Sequence, residues 1–318
     1  MTDQALSPNA ATFDCRVAFS EELAKLAREN PKIVAVCNDS VGSSNLGAFQ
    51  KEFPDRLINV GIAEQNMIGV AAGLSNGGYI PFVCAATPFL TGRALEQIKA
   101  DVAYSRYPVI LCGMSPGLAY GELGPTHHSV EDLPWLRAIA GMTIVVPADP
   151  TQTRDAMRWA VTANVPAFLR IGRTKVPDVT PPGAQWRVGQ ADQLTEGDDV
   201  TVIATGIMVS RALAAAEELR KRGIGARVIN MSTVKPLDKD VVLRAAAETG
   251  RIVTAEEAVV YGGMGSAVAE VVVQNRPVPM RLLGVTDFAP TGDVQFLLDH
   301  FKLNRDGIVE AVVDLMRQ

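Results

Sequence analysis

Hydrophobic and polar positions along the chain fall into two alternating patterns. Short apolar runs predict strands at 32–37, 79–84, 109–112, 143–146 and 167–171. Longer amphipathic or apolar stretches predict helices at 20–29, 63–75, 93–103, 135–140 and 150–162. The helix at 63–75 is apolar on nearly every side, so we expect it to be buried. Strands and helices in turn predict an α/β domain with a mostly parallel sheet.

A second set of elements follows a proline-rich segment. Residues 175–183 contain three prolines in nine positions, which disfavours both helix and strand. The alternation then resumes through 200–204, 207–222, 226–229, 238–249, 252–256, a helix from 264, a strand near 280–283 and a helix at 307–318. We therefore expect two consecutive α/β domains, each with a mostly parallel sheet flanked by helices, at 12–176 and 196–318, joined by a linker at 177–195.

Composition and charge narrow the class of protein. The 318 residues carry a net charge of −5, and no basic block is longer than 220–222. Because phosphate backbones are bound by clustered Lys and Arg, we expect no nucleic-acid partner. Four separated cysteines without a C-x-x-C pair argue against a zinc knot and a disulfide framework. A reducing, cytoplasmic setting fits this cysteine usage.

Two segments bear on targeting and membranes. The N-terminus lacks a basic start followed by an apolar core, so we expect no signal peptide. Residues 66–92 carry no charge and are long enough to cross a bilayer. Asn76-Gly77-Gly78, Pro81 and Pro88 break this stretch into a helix, a turn and a strand. We interpret it as buried core and expect no membrane partner.

The first candidate for chemistry is Glu64, in the segment NVGIAEQN at 59–66. A strand ends there, Gly61 allows a tight turn, and Glu64 begins an apolar helix. The helix N-terminus favours a charged carboxylate, whereas apolar surroundings disfavour it. If burial dominates, the pKa rises and Glu64 can exchange protons near neutral pH. A glutamate that merely complements the helix dipole is the alternative.

The second candidate is the loop GELGPTHH at 121–128, which holds two of the three histidines. Loops at the carboxyl ends of parallel strands often hold reacting groups, and a histidine there can move protons. Metal binding is a weaker alternative, since adjacent loop histidines seldom share one ion. A solvated or structural histidine pair also remains open.

Three further features have weaker signals. Arg173 ends a strand and could clamp a phosphate or carboxylate, or form a surface ion pair. The turn YGGMGS at 261–266 loosely resembles a phosphate-binding turn but lacks the full G-x-G-x-x-G pattern. A close strand-to-helix turn without a ligand is the simpler interpretation. Phe89 follows a strand and is either a core residue or a ring that stacks on a flat cofactor.

Taken together, these motifs resemble the C-terminal half of transketolase, in order and over nearly the whole chain from about residue 14. The matching segments are 59–74 (NVGIAEQNMIGVAAGL), 89–98 (FLTGRALEQI), 121–127 (GELGPTH), 146–149 (VPAD), Arg173 and 256–270 (EEAVVYGGMGSAVAE). In particular, the chain resembles the smaller subunit of a split transketolase, with a pyrimidine-binding domain and a C-terminal domain.

The resemblance implies thiamine diphosphate as a cofactor bound between two chains. Glu64 matches the glutamate that hydrogen-bonds the aminopyrimidine ring and helps remove the thiazolium C2 proton. Phe89 would stack on the pyrimidine, unless the neighbouring Leu90 takes that place. His127 matches a histidine that contacts donor and acceptor oxygens. The remaining implied positions are Arg173 and Arg16 on substrate phosphate, and Asp39, Arg93 and Ser44 on cofactor or substrate.

Three residues depart from the family pattern. Leu123 stands where the family's G-E-D-G-P-T-H carries an aspartate that hydrogen-bonds a donor hydroxyl. Ser115 stands where many transketolases have a histidine, and His128 replaces a glutamine. These changes imply an unusual sugar donor or acceptor rather than different chemistry.

The resemblance also implies a partner. The diphosphate–metal motif of thiamine enzymes, G-D-G followed by a distant Asn, does not occur in the sequence. We therefore expect a transketolase N-terminal (α) subunit that holds Mg²⁺ or Ca²⁺ and the diphosphate, in an α₂β₂ assembly. The expected function is transfer of a two-carbon ketol unit between sugar phosphates. Three alternatives remain: a 2-oxoacid dehydrogenase E1β-like subunit, a deoxyxylulose-phosphate-synthase-like enzyme and a non-catalytic scaffold.

Overall fold

The computed structural model describes residues 11–317, and the segment assessed for a signal peptide lies outside the described residues. Within this range the strands are β1 (Ile33–Cys37), β2 (Leu57–Asn59), β3 (Ile80–Ala86), β4 (Ile110–Met114), β5 (Thr143–Val145), β6 (Ala167–Ile171), β7 (Asp192–Gln193), β8 (Val200–Ala204), β9 (Ala226–Asn230), β10 (Thr233–Lys235), β11 (Ile252–Val259) and β12 (Met280–Val285). The helices are α1 (Cys15–Glu29), α2 (Gly47–Glu52), α3 (Glu64–Asn76), α4 (Leu95–Gln97), α5 (Asp132–Ala138), α6 (Pro150–Ala163), α7 (Met208–Lys221), α8 (Lys239–Glu248), α9 (Met264–Asn275), α10 (Val294–His300) and α11 (Arg305–Met316).

The strands form two sheets, as the alternating pattern predicts. The first has the order β10-β5-β6-β4-β3-β1-β2 and the second β12-β11-β8-β9-β7. Each is parallel except for one antiparallel edge strand, β10 in the first and β7 in the second. The mostly parallel α/β architecture is therefore confirmed, with helices packed on the sheets as this class requires.

Side-chain alternation along the strands divides the core. In β3, Phe82 and Cys84 belong to the apolar cluster that includes α1 and α6, whereas Val83 and Ala85 belong to the cluster that includes α3. The helix predicted to be apolar on nearly every side, now α3, thus packs against the sheet. Residues 66–92 contain most of this helix, a turn, β3 and the start of the helical segment that follows β3. Among residues 11–317, no helix is long and apolar enough to span a membrane.

Side-chain caps set several helix starts. Asp14 accepts the backbone N–H of Arg16, so α1 begins five residues before the predicted helix at 20–29. Asp149 caps α6 and Pro150 follows it in the first turn.

The helix predicted at 93–103 is present, but most of it is not a regular α-helix. Phe89–Arg93 and Ile98–Tyr104 are π-helical, and only the short α4 between them is α-helical. Such wider turns occur frequently at functional sites.

The proline-rich segment is tied to the first half of the chain. Oδ2 of Asp149 accepts the backbone N–H groups of Val179 and Thr180 at 2.9 and 2.7 Å. Burial raises the pKa of Asp149 to about 6. Beyond this segment, β10 leaves the second half and pairs with β5.

Candidate active site

Glu64 lies at the first position of α3 and is buried. Its Oε1 accepts hydrogen bonds from Asn38 Nδ2 at 2.8 Å and Arg93 Nη1 at 3.1 Å. Asn38 directly follows β1, and Arg93 ends the first π-helical turn. Three elements therefore converge on one carboxylate. Both hydrogen bonds fall on Oε1, which leaves Oε2 for a donor that binds at this edge of the sheet.

Asn38 was not singled out from the sequence. Its Nδ2 holds Glu64, while its Oδ1 is buried without a hydrogen-bond partner among the described residues. A buried, unpaired amide oxygen is costly unless a ligand or water satisfies it. A polar residue directly after a buried strand is the signal that could have identified it.

Asp39, the residue after Asn38, is held by the side chain of Asn59. Asn59, at the end of β2, accepts the backbone N–H groups of Asp39 and Gly61 at 2.9 and 3.0 Å. Its Nδ2 donates to the Asp39 carboxylate at 3.0 Å. Asp39 has a left-handed φ of 66°. Asn59 thus fixes both the turn after β1 and the turn that leads into Glu64.

The Arg93 guanidinium and two aromatic rings, those of Phe89 and His127, form a cluster beside Glu64. The Arg93 guanidinium carbon is 4.2 Å from the centroid of the Phe89 ring, within cation–π range. The rings of Phe89 and His127 meet edge to face with centroids 5.2 Å apart. Leu90 is fully buried, so Phe89 is the neighbour available to a flat ligand. The structure therefore brings Glu64, Arg93, Phe89 and His127 together from distant parts of the chain.

His127 also connects this group to a cleft. Its ring centroid lies 6.2 Å from that of Tyr120, and the Arg173 guanidinium carbon lies 5.3 Å from the Tyr120 centroid. The cleft has a volume of about 530 Å³ and is lined by residues including Tyr120, Leu123, Arg173, Thr174 and Asp293. Leu123 is 55 % exposed. Within residues 11–317 no carboxylate lies within ion-pair distance of Arg173, so its charge is available to an anionic ligand.

Arg16 and Ser44 lie in a different setting. Arg16 forms an ion pair with Asp14 at 2.7 Å and donates to the Ser43 carbonyl at 3.2 Å. Ser44 is fully buried, with its Oγ 3.1 Å from Ser40 Oγ. The Ser44 hydroxyl thus faces the protein. Ser43, one residue earlier and beside Arg16, is exposed and was not predicted.

His128 and Ser115 are both buried, and among the described residues His128 Nδ1 and Ser115 Oγ have no hydrogen-bond partner. His128 is buried, and its Nε2 lies 3.3 Å from the Gly121 carbonyl oxygen. Burial lowers the pKa of His128, which favours the neutral ring. Ser115 is buried at the end of β4 with a φ of 55°. Among the described residues, no group of three or more His, Cys, Asp or Glu could hold a metal ion.

The glycine-rich turn at 261–266 encloses a carboxylate of the chain itself. Glu256 Oε2 and Oε1 accept the backbone N–H groups of Met264 and Gly265, each at 2.7 Å, at the start of α9. A Cβ on Gly263 would come within 2.3 Å of Glu256 Oε2. The carboxylate occupies the place where a phosphate would bind. The geometry therefore supports a close strand-to-helix turn without a ligand.

Glu256 gives the protein a pH-dependent stability. Burial raises its pKa from 4.5 to about 7. Between these values the folded chain holds the proton more tightly than the unfolded chain, so this stabilisation is present at low pH and is lost as pH rises. We expect wild type to lose roughly 2–3 kcal/mol relative to Glu256→Gln between about pH 5 and about pH 8. Urea unfolding of both chains measures the difference. The substitution can also change stability by an amount that does not depend on pH. If the difference in free energy of unfolding between the two chains is the same at every pH, the raised pKa of Glu256 is contradicted.

The fold and this group of residues define an α/β protein of the class whose functional side chains gather at the carboxyl ends of parallel strands. Glu64 follows β2, Phe89 follows β3, and His127 lies in the loop after β4. Family models agree with this class. Residues 11–179 match the transketolase pyrimidine binding domain, and residues 189–308 match the transketolase C-terminal domain. The chain belongs to the transketolase family of transferases and has the domain content of the smaller subunit of a split transketolase.

Individual relatives have similar length and organisation. The chain is 42 % identical to an apulose-4-phosphate transketolase subunit of Phocaeicola vulgatus, over 96 % of this chain and 98 % of the relative. It is also 42 % identical to the 6-deoxy-6-sulfo-D-fructose transketolase subunit SqwH of Clostridium sp., over 93 % and 92 %. Among solved structures, a split gene transketolase described as an inactive β4 tetramer superposes with a TM-score of 0.88 at 39 % identity, covering 96 % and 99 % of the two chains.

Proposed function

We propose that this chain is the β subunit of a thiamine-diphosphate-dependent transketolase. It transfers a two-carbon ketol unit from a ketose or ketose phosphate to an aldose acceptor. The observation that carries the proposal is the buried Glu64 carboxylate, held on one oxygen by Asn38 and Arg93 and placed beside Phe89 and His127. This arrangement suits a nitrogen heterocycle that stacks on a ring and shares a proton with a carboxylate.

The residues present fit the pyrimidine end of thiamine diphosphate. Oε2 of Glu64 has no protein donor among the described residues, and Asn38 Oδ1 is a buried acceptor without a partner. Phe89 offers an aromatic face, and we assign Arg93 and Asp39 to the rim of the cofactor site. When bound, the cofactor supplies the electron sink that carries the ketol unit. Glu64 holds and moves a proton at Oε2.

Substrate contacts come from the adjoining cleft. His127 can hold or deliver a proton at a substrate oxygen, and Arg173 can pair with an anionic end such as a phosphate or sulfonate. We also propose Arg16, with the loop that contains Ser44, as a second anion contact. The apolar Leu123 side chain offers no hydrogen bond to a sugar hydroxyl. We therefore propose a sugar without the usual hydroxyl at this position, in line with the uncommon sugars in the two relatives' names.

A separate α subunit completes the site. The chain lacks the G-D-G…N motif, and the relatives' names describe subunits of larger enzymes. We propose an α₂β₂ assembly in the cytoplasm, in which the partner holds the diphosphate through Mg²⁺ or Ca²⁺. The Pro125-Thr126-His127 sequence and Arg173 favour transketolase over an E1β-like subunit. A synthase resembling the deoxyxylulose-phosphate enzyme would normally carry its own diphosphate half.

Calorimetric titration with thiamine diphosphate and Mg²⁺ tests this proposal. The cofactor is added to this chain alone, to an α chain carrying the G-D-G…N motif alone, and to their mixture. We expect tight binding only in the mixture, together with ketol transfer from a panel of ketose phosphates and modified sugars. Absence of binding in the mixture would support a non-catalytic scaffold. Oxidative decarboxylation of pyruvate by the mixture would instead support the E1β-like alternative.

A further inference from the structure

The loop that carries the substrate-facing residues is closed at its base. Gly117 and Ser129 exchange two backbone hydrogen bonds, each 2.8 Å long. Between these residues lie Tyr120, Leu123 and His127. Whatever fixes the base of this loop, residues 117–129, also sets where those side chains point.

A carboxylate from the second half of the chain reaches this base. Glu257 lies on β11, is buried, and its Oε1 accepts the backbone N–H of Leu118 at 2.9 Å. A Cβ on Gly117 would come within 2.3 Å of the same carboxylate. Gly117 also has a φ of 66°, which favours glycine. The backbone of the loop therefore packs directly against the Glu257 carboxylate at Gly117 and Leu118, just before Tyr120.

Neighbouring contacts reinforce this attachment. Arg170 Nη2 donates to the carbonyl oxygens of Ser129 and Glu257 at 3.0 and 2.9 Å. The backbone N–H of Val259 donates to the Val130 carbonyl at 2.8 Å. At the loop tip, the backbone N–H of Gly292 donates to the Gly121 carbonyl at 3.2 Å. Both the base and the tip are therefore held by the second half of the chain.

The adjacent Glu256 shows that burial in β11 does not by itself direct a carboxylate to the loop 117–129. The pairing of β11 with β12 is irregular between Ala255 and Val259, and bulges of this kind redirect side chains. Glu256 turns to the start of α9, whereas Glu257 turns to the loop. Two consecutive buried carboxylates thus have separate partners, and only one of them touches the loop.

We propose that Glu257 is a positioning residue, which holds the loop 117–129 so that Tyr120 lines the substrate cleft and His127 stays against Phe89 and Tyr120. Its effect on turnover rests on the function proposed above. Its effect on the loop does not, because Glu257 and the loop belong to one chain. The side chain acts through the hydrogen bond that its Oε1 accepts from the Leu118 N–H.

Hydrogen exchange of the full-length chain tests the attachment without any partner or cofactor. In Glu257→Leu we expect the loop amides to exchange about tenfold faster or more, because the hydrogen bond is lost. Glu257→Gln keeps an acceptor oxygen and should stay close to wild type. Glu256→Leu is the matched control, since it removes an equally buried carboxylate without touching the loop. If Glu257→Leu fails to fold, Gly117→Ala carries the test by displacing the loop from the carboxylate.

The holoenzyme then tests positioning. We expect KM for the sugar substrate to rise in Glu257→Leu and to recover in Glu257→Gln, with cofactor affinity unchanged. The proposal is overturned if loop exchange is unchanged, if Glu256→Leu opens the loop equally, or if KM stays constant while the loop opens. A wild-type pair without ketol transfer would reject the proposed function, and the exchange data would still decide whether Glu257 holds the loop.

Discussion

Glu64→Gln is expected to lower ketol transfer by the assembled α and β subunits at least about a hundredfold, the range that loss of a proton-transferring group produces. The glutamine oxygen can still accept from Asn38 Nδ2 and Arg93 Nη1, which now hold Oε1. The amide cannot take up and return a proton on the other side. The variant therefore separates proton exchange from folding. Steady-state turnover with saturating cofactor measures the effect.

The matched control is Glu96→Gln, which removes an exposed carboxylate from α4, close to Arg93 in sequence. We expect this variant to retain turnover, and both variants to unfold at the same urea concentration as wild type. Full activity of Glu64→Gln would remove Glu64 from the mechanism. If Glu64→Gln failed to fold, the expectation that its amide oxygen still accepts from Asn38 and Arg93 would be wrong.

Arg170→Met is expected to lower the free energy of unfolding by about 3–5 kcal/mol, the usual cost of leaving buried carboxylates without their cation. Arg170 is buried on β6 and donates to both oxygens of Asp132, at 2.7 and 3.1 Å. The same guanidinium holds the Ser129 carbonyl at the base of the loop 117–129. Equilibrium urea unfolding measures the loss.

Two controls interpret that loss. The double variant Arg170→Met, Asp132→Leu should recover part of it, because no unpaired carboxylate remains at Asp132. Arg28→Met breaks an exposed ion pair with Glu52 at 2.6 Å, which solvent screens, so we expect a much smaller loss than in Arg170→Met. A loss below about 1 kcal/mol for Arg170→Met would show that the buried pair contributes little.

Periodicity predicted the architecture well because buried parallel strands and the helices that cover them have strong apolar patterns. The strand at 167–171 was predicted with the bounds that the structure shows. Short elements with little apolar content, such as α2 and β7, gave no comparable signal. The π-helical turns at Phe89–Arg93 and Ile98–Tyr104 were also missed, since side-chain spacing does not distinguish them from an α-helix.

The site was predictable only in part. Glu64, Phe89 and His127 were identified through motifs, and the structure brings them together. Asn38 and Glu257 act through hydrogen bonds to residues 26 and 139 positions away. No local pattern reveals such pairings, because the first depends on how β1 and α3 pack and the second on how the two halves of the chain pack. The catalytic, cofactor and partner assignments stay predictions until the assembled enzyme is measured.

The strand β10 makes the first sheet depend on the second half of the chain. Because a strand from the second half closes the open edge of the first sheet beside β5, the first half expressed by itself would present the unprotected backbone of β5 to other molecules. A gene division between the two halves would create a sticky, aggregation-prone fragment. We therefore expect the first sheet to keep this edge covered only when both halves are made as one chain.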